Sequence, residues 1–290
     1  MVQLTVAATF ALCAGSALAS CHYGTSHFKR ENKVPVFKFG YTGLIGPLNW
    51  YGLNPNVNKL CATGTHQSPI NLNGSTTTSP GSSVSFQVDG APNGSVLENL
   101  GTTLEVPGNG TLVHGGKTYH LVQFHFHTPS EHFIESEYSV MEVHFVFQAD
   151  DKSLTAVGFL IDLGPTTPFL SSVFQNVDQV ATPGSDAATG PLCFTELENH
   201  LKNNNIYTQA HPVPPSDVPR SLTVASRYSG SLTTPPCAEG VSWIVSSQPL
   251  HIDADTYHKV KDIIRFNARY IQNVPGGVNL LQNAANYLQK

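Results

Sequence analysis

Apolar and polar residues alternate in short runs along much of this chain, which is the two-residue period of strands buried on one face. Val84–Val88 and Thr103–Val106 carry the alternation, and Tyr119–His127 and Ser139–Phe147 each extend it over nine residues. Leu154–Leu160 and Val241–Val245 are further strand candidates. Asn109-Gly110 predicts one hairpin turn and Gly115-Gly116 another. Helical spacing is sparse. It predicts helices over Thr167–Asp178, Pro191–Leu201 and Asp253–Arg265, and the tail 279–290 has helical composition. The Ser/Thr/Gly/Pro-rich stretches 72–83 and 182–191 read as surface loops. No repeat of 20 to 50 residues is present. The pattern predicts one mainly β domain with a largely antiparallel sheet.

Composition adds a compartment. Only 12% of the 290 residues are charged, about half the ~25% usual in globular domains. The net charge is -5, which argues against a nucleic-acid binder or a polybasic membrane-surface protein. Residues 1–19 lack charged side chains; an apolar run from Leu4 to Cys13 leads to Ala17-Leu18-Ala19, the form of a secretory signal peptide. No later run reaches the ~18 apolar residues of a membrane span. The mature chain is therefore expected to be secreted and soluble. It would keep Cys21, Cys61, Cys193 and Cys237, which allow three pairings. Sequons at Asn73, Asn93 and Asn109 suit glycosylated surface loops.

The chemistry concentrates in Gln123-Phe-His125-Phe-His127 and Glu142-Val-His144. Residues two apart on a strand share a face. His125 and His127 therefore point together, with Gln123 beside them, and Glu142 shares a face with His144. If the two strands pair, three imidazoles converge. Three neutral His hold a zinc ion with its fourth tetrahedral position open to water, the form of a catalytic rather than a structural site. Gln123 and Glu142 are placed to take the second ring N–H of His125 and His144. A lone strand histidine is more often a hydrogen-bonded packing residue; the joint spacing is what points to a metal. His-Glu-x-x-His and Gly-x-Ser-x-Gly are both absent, so a hydrolase of either type lacks support. Gly115-Gly-Lys-Thr118 lacks the leading glycine of a phosphate loop, because residue 111 is threonine.

The sequence resembles the α-class carbonic anhydrases. The resemblance rests on Gln123–His127, Ser130-Glu131-His132, Glu142–His144, Gln67–Asn71, Tyr228–Pro236, Val241-Ser-Trp243, Gly40-Tyr41, Gly46–Trp50, and Asn267, Arg269 and Gln272. It implies a single domain around a large twisted, mostly antiparallel central sheet with a few short peripheral helices. That domain would span 35–275, between an N-terminal extension at 20–34 and a tail at 276–290. It implies reversible hydration of CO2 to bicarbonate and a proton by attack of zinc-bound hydroxide, with an esterase side activity within reach of the same chemistry. His125, His127 and His144 would bind Zn2+, backed by Gln123, Glu142 and the backbone carbonyl of Asn267. Thr233 would orient the hydroxide through an ionised Glu131. Val146, Ala156, Leu232, Val241 and Trp243 would form the apolar wall for CO2, with Thr233 and Thr234 on the polar side. His132 would be a structural histidine near Tyr228.

The resemblance also implies a disulfide between Cys61 and Cys237. Cys21 and Cys193 would then pair with each other or across a dimer; a monomer and a homodimer are both compatible. The family's proton-shuttle histidine aligns with Thr102, which does not titrate near pH 7. His114 and His120 are weak stand-ins. The partners implied are CO2, water and bicarbonate, with neither nucleic acid nor membrane. The rival reading is a relative that has lost catalysis and serves as a binding module, because fold alone does not settle function.

Overall fold

The computed structural model describes residues 34–73, 76–210 and 228–288. Residues 1–19, expected to be a signal peptide, and Cys21 lie outside them. A thirteen-stranded sheet organises the chain. Nine of its strands form one path: β1 (Thr76–Pro80), β2 (Val96–Asn99), β3 (Leu104–Pro107), β4 (Lys117–His127), β5 (Met141–Gln148), β6 (Leu154–Leu163), β7 (Asp186–Ala188), β8 (Asn205–Ala210) and β9 (Glu239–Ser246). Their order in space is β7-β2-β3-β4-β5-β6-β9-β8-β1. Pairing is antiparallel except where β6 runs parallel to β9 and to Leu250–Ile252. The long connection from β6 to β9 carries helices and further strands, β7 and β8 among them, as a parallel pairing requires.

The even residues of the paired segment of β4 and the odd residues of β5 and β6 build the main core. Phe124, Phe126, Phe145, Phe147 and Phe159 pack there with Phe169 and Phe194. Phe124 stacks on Phe145 at 4.8 Å. The opposite face carries His125, His127, His144 and a second apolar cluster around Ala156, Leu232, Val241 and Trp243.

Four sequence expectations are corrected. The alternation from Tyr119 to His127 is not continuous, because a bulge lies between Leu121 and Gln123. Tyr119 and Leu121 lie in the same core as Phe124 and Phe126, so the extra residue switches the faces. Asn109-Gly110 does not make a hairpin; β3 and Gly110–His114 dock one after the other along β4. Gly115-Gly116 does make one, with φ of 58° and 75° and His114 opposite Lys117, the left-handed pair that a tight hairpin turn needs. The two stretches expected as loops, 72–83 and 182–191, each supply an edge strand, β1 and β7. Polar side chains suit an edge, where one backbone neighbour suffices. Finally, the helix expected over Thr167–Asp178 is two pieces, Pro168–Val173 and a 3-10 turn at Val177–Val180.

The helix Ala254–Ile264 forms close to where its spacing predicts. Asp253 caps it by accepting the Thr256 N–H at 2.9 Å, and Val260 and Ile264 face the core. The helix expected over Pro191–Leu201 starts later, at Thr195, and runs to Asn203. The tail is helical over Leu280–Leu288. Asn279 Nδ2 ties it back by donating to Gly64 O at 3.0 Å.

Candidate metal centre

The centre grows from the register of two neighbouring strands. β4 pairs with β5 so that His125 lies opposite His144, and His127 opposite Glu142. The three imidazole centroids are 4.6 to 5.3 Å apart. Each ring gives one nitrogen outward. His125 Nδ1 donates to Gln123 Oε1 at 2.9 Å, His127 Nδ1 to the Asn267 carbonyl at 2.8 Å, and His144 Nε2 to Glu142 Oε1 at 2.8 Å. The tautomers follow, since a carbonyl or carboxylate oxygen only accepts. Nε2 of His125, Nε2 of His127 and Nδ1 of His144 are left to face one another. One ligand atom from each ring lies within 4.8 Å of the others. His127 Nε2 is buried and has no hydrogen-bond partner among the described residues. Three unprotonated imidazole nitrogens, fixed from behind and turned to one point, fit a divalent transition metal.

The electrostatics agree. Burial, reinforced by its two neighbours, holds His125 well below the ordinary histidine range, and burial with His144 brings His127 to about 3. Both rings are neutral at physiological pH, as ligands must be. Burial opposes the charged form of His144, but the Glu142 carboxylate outweighs it by charge and hydrogen bond and raises the ring. Glu142 itself is held well below its ordinary value against burial, by the charges and the hydrogen bonds of His132 and His144, and four donors meet it in all. They are His144 Nε2, His132 Nδ1 and the backbone N–H groups of Glu131 and His132, each at 2.8 Å.

Glu131 lies beside this cluster. Its Oε2 is 3.4 Å from His127 Nε2, and its Oε1 accepts the Arg269 backbone N–H at 2.8 Å. Burial raises its pKa to about 7, against lowering by the His144 charge, a Thr233 side-chain hydrogen bond and the Arg269 N–H. The Arg269 guanidinium is buried and donates to Ser68 O at 2.7 Å and Gln67 Oε1 at 2.9 Å. Cys61 and Cys237 form a disulfide. It fastens the Thr233–Pro236 turn to the helix Lys59–Thr63.

A small cavity of about 20 Å³ opens beside His125 and His144. Every pocket residue expected from the sequence lines it: Val146, Ala156, Leu232, Thr233, Thr234, Val241 and Trp243. Leu154 lines it too and was missed, although it stands two residues before Ala156 on the same strand face. The bracing of His132 by Glu142 was also missed. The side chain of Tyr228, its expected neighbour, lies outside the described residues. Thr102 is buried and gives its carbonyl to Asn267. His114 and His120 lie toward the other end of β4, against Lys117 and Thr111, away from the centre. Asn93 and Asn109 are exposed, Asn73 is half-buried and Cys193 is exposed. Among the described residues, no helix is long and apolar enough to cross a membrane.

Comparisons with known proteins follow the same lines. The family model for eukaryotic-type carbonic anhydrases matches residues 46–279. A carbonic anhydrase of Neisseria gonorrhoeae is 35% identical over 218 residues, covering 74% of this chain and 76% of the relative. The fungal α-carbonic anhydrase of Aspergillus oryzae superposes with a TM-score of 0.76 at 43% identity, over 86% of this chain and 98% of that one. The α-carbonic anhydrase of Thermovibrio ammonificans, solved with the inhibitor sulfanilamide, gives a TM-score of 0.67 at 30% identity, over 81% and 95%. With its mixed β-sheet and its histidine cluster, this chain belongs to the α-carbonic anhydrases. It is a carbonic anhydrase, and its general reaction is the reversible hydration of CO2.

Proposed function

We propose that His125, His127 and His144 hold a zinc ion and that Thr233 and Glu131 orient the attack on CO2 at that ion. The observation that carries this is the set of three inward nitrogens whose partner nitrogens are already hydrogen-bonded. Bound zinc lowers the pKa of water from ~15.7 to ~7, which makes hydroxide available at neutral pH. The chain's own residues do the rest. Glu131 takes the Thr233 hydroxyl proton in a hydrogen bond, so the Thr233 oxygen is left to accept from the nucleophile and aim its lone pair. That role needs Glu131 ionised. The Arg269 N–H and a nearby divalent charge both favour the carboxylate. Val146, Leu154, Ala156, Leu232, Val241 and Trp243 offer CO2 an apolar wall. Thr234 supplies the polar rim from which bicarbonate leaves.

The proton released has no histidine at position 102 to carry it. Turnover in weak buffer is therefore limited by proton transfer, and added imidazole-type buffer raises kcat; a kcat indifferent to buffer concentration removes this step. Activated esters are secondary substrates of the same nucleophile. We assign residues 1–19 to a signal peptide and the mature chain to the extracellular space, with glycans at Asn73, Asn93 and Asn109. The Cys61–Cys237 bridge supports this, since such bonds persist in oxidising compartments. Cys21 then pairs with Cys193, within one chain or across a dimer. The reading is tested by CO2 hydration with and without a chelator and in His144→Ala. Loss of activity on chelation and in the variant is expected; undiminished hydration in His144→Ala ends the ligand assignment.

A further inference from the structure

Two of the three imidazoles are oriented by residues on their own strands. Gln123 precedes His125 by two, and Glu142 precedes His144 by two, so strand geometry alone brings each pair together. His127 is different. Its ring donates to a carbonyl 140 positions away, on Asn267, in a stretch without helix or strand. Something else must fix that carbonyl.

The Asn267 side chain does so with three of the four hydrogen bonds a carboxamide can make. Nδ2 donates to Thr102 O at 3.0 Å and to Phe126 O at 2.9 Å. Oδ1 accepts the Thr128 N–H at 2.6 Å. The Asn267 backbone N–H adds a bond to Thr128 O at 3.0 Å. The residue is 1% exposed. Phe126 and Thr128 flank His127, so one buried carboxamide grips the backbone on both sides of the ligand. Through its own carbonyl, the same residue sets the ligand's ring. Thr102 O anchors the assembly to the segment leading into β3. Resting on the zinc reading above, we infer that the Asn267 side chain is a positioning residue for the metal. It holds His127 Nε2 in line with the other two nitrogens, over and above its part in the fold.

The test is metal affinity rather than activity. Asn267→Asp keeps the acceptor for Thr128 N–H but loses both donors; Asn267→Ser loses all three side-chain bonds without adding charge. In the full-length protein, chelator competition is expected to show the zinc Kd rising 10- to 100-fold in both. The cobalt-substituted variants are expected to show altered visible bands. A purely structural residue would lower the melting temperature of the metal-free protein and leave the Kd and cobalt spectrum of the folded molecules unchanged; that result overturns the inference. If neither variant folds, wild-type hydrogen exchange decides. Zinc is expected to slow the Thr128 amide at least tenfold relative to the Phe145 amide, and equal slowing of both overturns the inference. Wild-type protein that binds neither zinc nor cobalt refutes the metal reading itself, whereas tight wild-type binding with unaltered variants refutes only the role of Asn267.

Discussion

His127 shows how much one buried ring contributes. Unfolded, it titrates near the ordinary 6.5; folded and metal-free, it stays neutral down to about 3. Between those values the unfolded chain holds the extra proton, so stability falls as pH drops, by about 1.4 kcal/mol per unit for this ring. His125 shifts in the same direction. His144, raised by Glu142, adds stability that is complete below 6.5 and fades only above it, so it does not flatten the acid limb; Glu131, raised from 4.5 to about 7, gains stability as pH falls between those values and offsets one of the two rings there. Urea denaturation of the metal-free protein between pH 6.5 and 4 is expected to show this decline, with a slope about one proton shallower in His127→Gln. A second residue-scale prediction concerns Glu142. Glu142→Gln replaces an acceptor of four hydrogen bonds by a group that must donate into at least one of them, so zinc affinity is expected to fall 10- to 100-fold in chelator competition. The ligands, Gln123 and Glu142 were legible because their relations are local to a strand. Asn267 was legible as a carbonyl by resemblance, but its carboxamide contacts join segments that no periodicity connects.

At the scale of elements, the strands were legible and their seams were not. The period of two locates β4, yet the apolar positions shift from 119 and 121 to 124 and 126, and that change of phase is the sequence trace of the bulge. Without it Gln123, His125 and His127 would share a face with Tyr119 and Leu121. The edge strands β1 and β7 escaped because their side chains need no apolar pattern when only their backbones are paired. β6 contributes through a residue it lacks: a Cβ on Gly158 would stand 3.0 Å from Glu142 Oε1 and 3.6 Å from the His144 ring. The four donors that hold Glu142 resist the few tenths of an ångström it would have to give. Gly158→Ala is therefore expected to cost about 1–3 kcal/mol in denaturation and to weaken zinc binding; a variant with native stability and affinity would show that the carboxylate can move.

For the whole molecule, the disulfide is the longest-range covalent tie among the described residues, joining cysteines 176 positions apart. The chain-entropy relation gives a loop of that length about 5 kcal/mol. Replacing both cysteines by serine is expected to lower unfolding free energy by an amount of that order, measured in guanidinium. Activity is expected to fall more steeply than global stability, because Thr233 sits four residues from the lost anchor. Fold class and this pairing were readable from a resemblance spread along the chain. The mixed character of the sheet was not, since the direction of β9 against β6 depends on a connection whose path the sequence leaves open.

The stretch 267–269 clasps His127 and Glu131 from about 140 positions downstream. During synthesis the histidine-bearing hairpin emerges more than a hundred residues before the piece that squares its rings and carboxylate. A nascent chain can therefore present imidazoles to solution without presenting a finished site, and selective metal capture must wait until the stretch 267–269 has left the ribosome. High contact order of this kind makes folding slow, and it makes tight zinc uptake a reporter of completed folding.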